Sequence, residues 1–296
     1  MRSFFMREAV QASVVQHRPA EKQERQANID FILATLADEA KSGAELVVFP
    51  EVGITNFFRH GPGGMRDLWE TASITLDSPE IEVVRDAARR LNLYTVVGFN
   101  ERSDTFGVVY NSSALIGPEG VVGVSRKQNF PGVEKLYYTP GPAVKAFDCG
   151  LGRVGTVICY DALFPEIARQ HFLDGAEMIV FSSSFWRGGA RGGVGDPETK
   201  RDLWHKLPFV TAVQNQAFVL SANCCGTQDL GGGLGEWERM GLSQIASPAS
   251  GVLAEAGQTG QEILRATLKR DDLLEARTNY RFLSEVRSRP SGALAV

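Results

Sequence analysis

Residues 152–169 read GRVGTVICYDALFPEIAR. Arg153–Ile158 is a short apolar run rich in β-branched residues, and that composition predicts a buried strand. Pro165 suits the first turn of a helix: its fixed φ is already helical and its missing N–H would have no helical partner there. Between strand and helix stands a cysteine, Cys159. A strand, a turn bearing a polar side chain and a helix, in that order, form the repeating unit of an α/β fold.

The pattern extends in both directions. Upstream, Ala9–Gln16 predicts a strand. Ile29, Ile32, Leu33, Leu36, Ala37 and Ala40 recur at helical spacing, Ser42-Gly43 ends that helix, and Leu46–Phe49 is a compact strand. Ile81, Val84, Ala88 and Leu91 mark the next helix face and Tyr94–Gly98 the next strand. Val108–Ile116 and Val121–Lys127 flank Gly117-Pro118-Glu119-Gly120, a hairpin turn that makes this part of the sheet antiparallel. Downstream, Met178–Phe181 is a strand, Leu203–Asn215 a helix and Phe218–Asn223 a strand. Gly251–Ala256 and Glu262–Leu268 are expected to pair as another hairpin. Gly188–Gly195 reads as a surface loop without the Lys-Ser/Thr ending of a phosphate-binding loop.

The 296 residues carry a formal charge of −4, with acids and bases mixed, which argues against a nucleic-acid partner. No apolar run approaches the roughly 20 residues of a membrane span, and no uninterrupted apolar core marks a secretory signal. The expectation is a cytoplasmic protein of one domain, with its core in about 7–282 and a C-terminal tail at 283–296. Of the four cysteines, none stands in a C-x-x-C, and Cys224 and Cys225 are expected on opposite faces of a strand. His17, His60, His171 and His205 are scattered, without metal-ligand spacing, and are expected to be ordinary surface or helix residues. No metal and no cofactor is implied.

Three polar residues follow buried strands directly: Glu51 after LVVFP, Lys127 after VVGVSR and Cys159 after VGTVI. In α/β sheets, ligands collect at the carboxyl ends of strands. Singly, each has a plainer reading as a cap, a solvated cation or an inert core thiol.

Together they sit in GAELVVFPEVGITNF, SRKQNFPGVEKLYYTPG and GRVGTVICYDALFPEIAR, which resemble, in order, the three signature blocks of the nitrilase (carbon–nitrogen hydrolase) superfamily. VQNQAFVLSANCCGT and GLSQIASPASGVLAEAG resemble later segments of the same family, so that the similarity runs from Val10 to Arg281. The resemblance implies a four-layer α-β-β-α sandwich with two mixed sheets, usually paired as a homodimer or larger assembly. It implies Glu51 as general base, Lys127 as catalytic lysine, Cys159 as nucleophile and Glu134 as a second glutamate of the site.

The resemblance further implies that Cys159 forms a thioester after attack on a small amide. Lys127 and the Tyr160 N–H would stabilise the oxyanion, and Glu51 would move the protons. Phe57, Phe58, Tyr137, Phe185 and Trp186 are expected to line the substrate site, and Arg187 is a candidate for an anionic substrate group. Cys159-Tyr160-Asp161 is closer to amidases than to true nitrilases, which usually carry Trp-Glu after the cysteine. The arginines that N-carbamoyl amino acid hydrolases place there are replaced by Ala162-Leu163-Phe164. Nitrilase and N-carbamoyl hydrolase remain as alternatives, with a non-catalytic binding protein as the reading from another class.

Overall fold

The computed structural model describes residues 6–20, 24–58, 60–189, 191, 193 and 195–287. The elements run β1 (Ala9–Gln16), α1 (Arg25–Lys41), β2 (Leu46–Val48), α2 (Gly64–Asp67), α3 (Pro79–Leu91), β3 (Tyr94–Arg102), β4 (Val109–Gly117) and β5 (Gly120–Arg126). Then come β6 (Phe147–Cys149), β7 (Gly152–Ile158), α4 (Pro165–Leu173), β8 (Met178–Ser183), β9 (Trp186–Gly189), α5 (Pro197–Asn215) and β10 (Phe218–Asn223). β11 (Thr227–Asp229), β12 (Glu236–Arg239), β13 (Gln244–Ser247), β14 (Gly251–Glu255), β15 (Glu262–Lys269), α6 (Arg270–Asn279) and α7 (Phe282–Arg287) complete the order.

Two six-stranded mixed sheets result, in the orders β15-β1-β2-β3-β4-β5 and β14-β13-β10-β8-β7-β6. The period of two along each strand explains why they stack. Val14, Val48 and Val96 of the first sheet meet Val154, Met178, Val180 and Leu220 of the second in one buried cluster. Their neighbours Val15, Val47 and Val97 point the other way, onto Ile29, Ile32 and Leu36 of α1 and Ile81 and Val84 of α3. On the far side, Val157, Ile179, Phe181 and Val219 pack against Ile167 and Ala168 of α4 and Trp204 and Ala212 of α5. Helices, sheet, sheet, helices are the four layers the resemblance implied.

Local chemistry sets the helix ends. Asp196 caps α5, its side chain accepting from the Thr199 N–H at 2.7 Å, and Pro197 takes the first turn. α5 therefore starts six residues before the apolar spacing at Leu203 reveals it. α3 ends on Asn92 in the left-handed region.

The expected hairpin of Gly251–Ala256 with Glu262–Leu268 is not formed. β14 pairs antiparallel with β13 in the second sheet, whereas β15 pairs with β1 in the first. The Gln16 side-chain amide donates to the carbonyls of Gly257 (2.7 Å) and Gly260 (2.8 Å), which fixes the crossing between the sheets. Alternating patterns and a turn signal suit a hairpin and a crossing equally, and only the open edge beside β1 distinguishes them.

Cys224 and Cys225 are buried but lie beyond β10, so they do not alternate on a strand. Gly188 and Gly189 belong to β9 rather than to a loop, because β12 supplies a third strand layer, in the order β11-β12-β9. Residues 190, 192 and 194 of the expected loop, and 288–296 of the expected tail, lie outside the described residues. Among the described residues no helix is long and apolar enough to cross a membrane.

Candidate active site

β2 runs parallel to β1 and β3, and β8 to β7 and β10. The residues at the carboxyl ends of β2 and β8 meet across the two sheets, where Ser182 Oγ donates to the Phe49 carbonyl and the Ser184 N–H to Glu51. Glu51 lies in the turn after β2. It is fully buried, and its carboxylate accepts three hydrogen bonds: from Lys127 Nζ (2.8 Å) and Asn111 Nδ2 (2.7 Å) on Oε1, and from the Ser184 N–H (2.9 Å) on Oε2. That turn fits beneath β3 because Gly98 has no side chain. A Cβ there would lie 2.4 Å from the Val52 nitrogen and 3.0 Å from Glu51 Cα.

Lys127 follows β5, its N–H bonded to the Asn111 carbonyl at 2.9 Å. Its ammonium is wholly buried between two carboxylates, donating to Glu51 and, at 2.8 Å, to Glu134. Burial alone would pull its pKa down. The Glu134 and Glu51 charges outweigh that and hold it well above the ordinary lysine range, so the cation persists. Glu134 sits in a 3₁₀ turn, Gly132–Leu136. Burial raises its pKa to about 7 against the pull of Lys127, with the Glu51 charge adding to the rise.

Cys159 opens a second 3₁₀ turn, Cys159–Leu163, at the end of β7, with φ of +49°. A non-glycine residue in this region is strained, and strain of this kind gathers at functional sites. The turn is pinned by Asp161, whose carboxylate accepts from the N–H groups of Gln128 (3.1 Å) and Asn129 (2.8 Å) and from Asn129 Nδ2 (2.9 Å). The Cys159 turn is thereby tied to the residues directly after Lys127. The thiol pKa lies well above its usual value. Burial is the main cause and the Glu51 charge adds to it, opposed by Lys127. The charges of both Glu51 and Lys127 bear on this thiol.

Cys159 and Glu134 open onto one cavity of about 610 Å³. All five expected substrate contacts line it: Phe57, Tyr137, Tyr160, Phe185 and Trp186, as does Phe58. Trp186 packs edge-on against Phe57 at 5.6 Å and Trp237 at 6.3 Å, and Phe58 against Tyr137 at 4.8 Å. Arg187 is not among them. It lines an adjoining groove of about 480 Å³ and is occupied by Glu238 (3.1 Å) and Glu198 (3.4 Å).

Sequence reasoning missed Asn111, Ser184, Arg239 and His60. Arg239 is buried and joins Ser184 Oγ, Asn56 Oδ1 and Gln228 Oε1 while stacking on Trp186 at 4.7 Å. His60 is no ordinary surface residue: it lines the cavity and hydrogen-bonds the Tyr137 hydroxyl. His17 is neither exposed nor helical, being buried just after β1. The polar run Asn111-Ser112-Ser113 inside β4 was the available signal for Asn111. Ser184 acts through its backbone N–H, which no side-chain pattern announces. Among the described residues, no group of His, Cys, Asp and Glu is arranged to hold a metal.

The fold and this buried Glu–Lys–Glu network beside a strained cysteine define a class, and comparison with known proteins names it. The model of the carbon–nitrogen hydrolase family matches residues 11–278, and the chain belongs to that family. It is a hydrolase of carbon–nitrogen bonds. A nitrilase of Pyrococcus abyssi is 30% identical over 77% of this chain and 78% of its own. A citrullinase of Francisella tularensis is 29% identical over 84% and 86%. The crystal structure of a carbon–nitrogen hydrolase from Helicobacter pylori G27 superposes with a TM-score of 0.82 at 22% identity, covering 96% of each chain.

Proposed function

We propose that the chain hydrolyses the amide of a small molecule through a thioester on Cys159, with Glu51 as the proton carrier and Lys127 as the oxyanion donor. One observation carries this reading: Lys127 is held as a buried cation by two carboxylates beside a thiol that opens onto the cavity. A buried ammonium is tolerated only when its charge is matched. Two of its three N–H bonds are committed to Glu51 and Glu134, and the third is left for a new acceptor.

The raised thiol pKa means that Cys159 rests protonated. Glu51 therefore removes the proton as sulfur attacks the carbonyl carbon, rather than before. Charge gathers on the carbonyl oxygen, where Lys127 and the Tyr160 N–H receive it; one such donor is worth about 3–4 kcal/mol in the transition state. The carbon–nitrogen bond breaks as Glu51 returns the proton to the leaving nitrogen. Water, deprotonated by Glu51, then cleaves the thioester, giving the acid and restoring the thiol. Glu134 holds Lys127 and faces the substrate amide. The aromatic wall favours an amide with an apolar body.

The test is an ammonia-release panel of amides, nitriles and N-carbamoyl compounds. Cys159→Ala is expected to abolish turnover, and the wild-type enzyme to gain one acyl mass from a reactive ester. Full activity in the alanine variant would sink the reading. Carbon dioxide release would move it to a carbamoyl hydrolase, a reading that the similarity to the Francisella citrullinase favours.

We also propose a cytoplasmic enzyme that pairs with a second copy of itself. Four free thiols suit a reducing compartment. Leu203, Phe209, Val210 and Val213 leave an apolar stretch of α5 exposed, of the kind that an interface covers. A monomer by light scattering at micromolar concentration would end the pairing claim.

A further inference from the structure

The charges around the cavity are unevenly distributed. Among the described residues its only acidic lining residue is Glu134, already bonded to Lys127 at the inner end. Three cations line it as well: Lys135, Arg191 and Lys200. None of them makes an ion pair with the described residues. Lys200 donates to a neutral partner, the Arg187 carbonyl, at 3.1 Å.

Two of the nearby acids are taken up elsewhere. Glu198, two residues before Lys200, faces Arg187 and Arg201, the latter at 2.6 Å, and Glu238 faces Arg187. Glu236 lines the adjoining groove and not this cavity, while Lys200 stands between the two and lines both. Lys200 is partly buried and held in the first turn of α5, its N–H bonded to the Asp196 carbonyl at 3.1 Å. One helical turn on, Leu203 returns the wall to apolar character. The reacting groups and these cations thus share one cavity with an aromatic wall, at a volume ordinary for ligands of drug size.

We propose that the substrate amide carries a carboxylate, set apart from the scissile bond by an apolar or aromatic spacer, and that Lys200 and Arg191, with Lys135 at the rim, receive it. The proposal rests on the amidase reading. Arginine presents a planar fork suited to a carboxylate and lysine a mobile point charge, so together they fix the tail while the aromatic wall holds the spacer. A cationic tail would meet like charge.

The experiment compares three para-substituted phenylacetamides, bearing carboxylate, hydrogen or aminomethyl, with ammonia release read as kcat/KM. The expected order is anion, neutral, cation. The anion should lead the neutral amide by about tenfold, the size of one charge-assisted hydrogen bond. The double variant Arg191→Gln, Lys200→Gln should bring that ratio close to one, and Lys200→Glu should turn it toward the cation. Raising the salt to about 1 M, where screening acts over only about 3 Å, should shrink it in the wild type. A wild-type ratio near one, or a ratio that neither substitution moves, would overturn the proposal and leave the amidase reading intact. No ammonia from any of the three would overturn both.

Discussion

At the scale of single residues, the site depends on charges kept out of water. Glu134 holds its proton to about pH 7, mainly through burial, where an exposed glutamate releases it near 4.5. Its carboxylate form is the one that pairs with Lys127. We therefore expect kcat/KM to rise through about pH 7, and Glu134→Gln to lack that limb. The amide can still accept a hydrogen bond but brings no charge. The cost should be one charge-assisted bond of about 1.5–3 kcal/mol, or roughly 10- to 150-fold in kcat/KM. Stability runs the opposite way. A folded-state pKa above the unfolded value favours folding below pH 4.5, and that contribution is lost as pH rises to 7. The Gln variant should thus gain stability relative to wild type across that window. Denaturant midpoints and rate profiles at matched pH check both limbs.

At the scale of elements, the groups proposed to react stand where strands end, and small residues govern how closely those ends approach. Gly98 in β3 admits the Glu51 turn, and Gly155 in β7 admits the His171 ring, 2.5 Å from where a Cβ would stand. Gly98→Ala would overlap backbone, not the tip of a flexible side chain, so the Glu51 turn must move. A displacement of one ångström at a reacting group can cost a factor on the order of 100. We expect the variant to fold and to lose about that much kcat, checked by steady-state rates beside a circular dichroism melt. A loss of stability with kcat unchanged would show that the fit of the turn does not govern the site.

The elements also show what was legible in the chain. β1, β2, β7, β8 and β10 were visible because runs such as MIVF and LVVF are buried on both faces, and α1 and α3 because one face alone is apolar. β11 and β12 were not, because three or four residues with exposed polar members carry no readable period. The partner of β15 was misjudged because pairing depends on which edge is open, and no local sequence encodes that.

Across the whole molecule, burial couples the fold to acid. His17 stacks on Phe31 at 4.5 Å, and its pKa is pushed down to about 3 by burial and then by the Arg239 charge. His171 falls to about 4, again by burial, although Nε2 donates to the Thr156 carbonyl at 3.1 Å. Both pKa values are depressed in the fold. Their contribution to stability is therefore present above the unfolded value of 6.5 and is lost as pH falls toward 3–4. Each unit is worth about 1.4 kcal/mol, so the loss is large on the scale of protein stability. Neither ring nitrogen of His17 has a hydrogen-bond partner among the described residues. His17→Phe keeps the stacked shape and removes the charge, and it should flatten the acid limb of a stability–pH curve. An unchanged limb would assign it to other groups.

Strand periodicity and residue type are local properties, so the sequence by itself marked the strands and the polar residues Glu51, Lys127 and Cys159 that follow them, while the four layers and Glu134 came with the family resemblance. Only the tertiary structure decided that Lys127 lies between two carboxylates, that Asp161 fastens the cysteine turn to the lysine loop, that Arg187 is already occupied, and that Lys200 faces the cavity. Those outcomes depend on distances between segments far apart in the chain and on backbone N–H groups, such as that of Ser184, whose direction is set by the fold rather than by the residue that bears them.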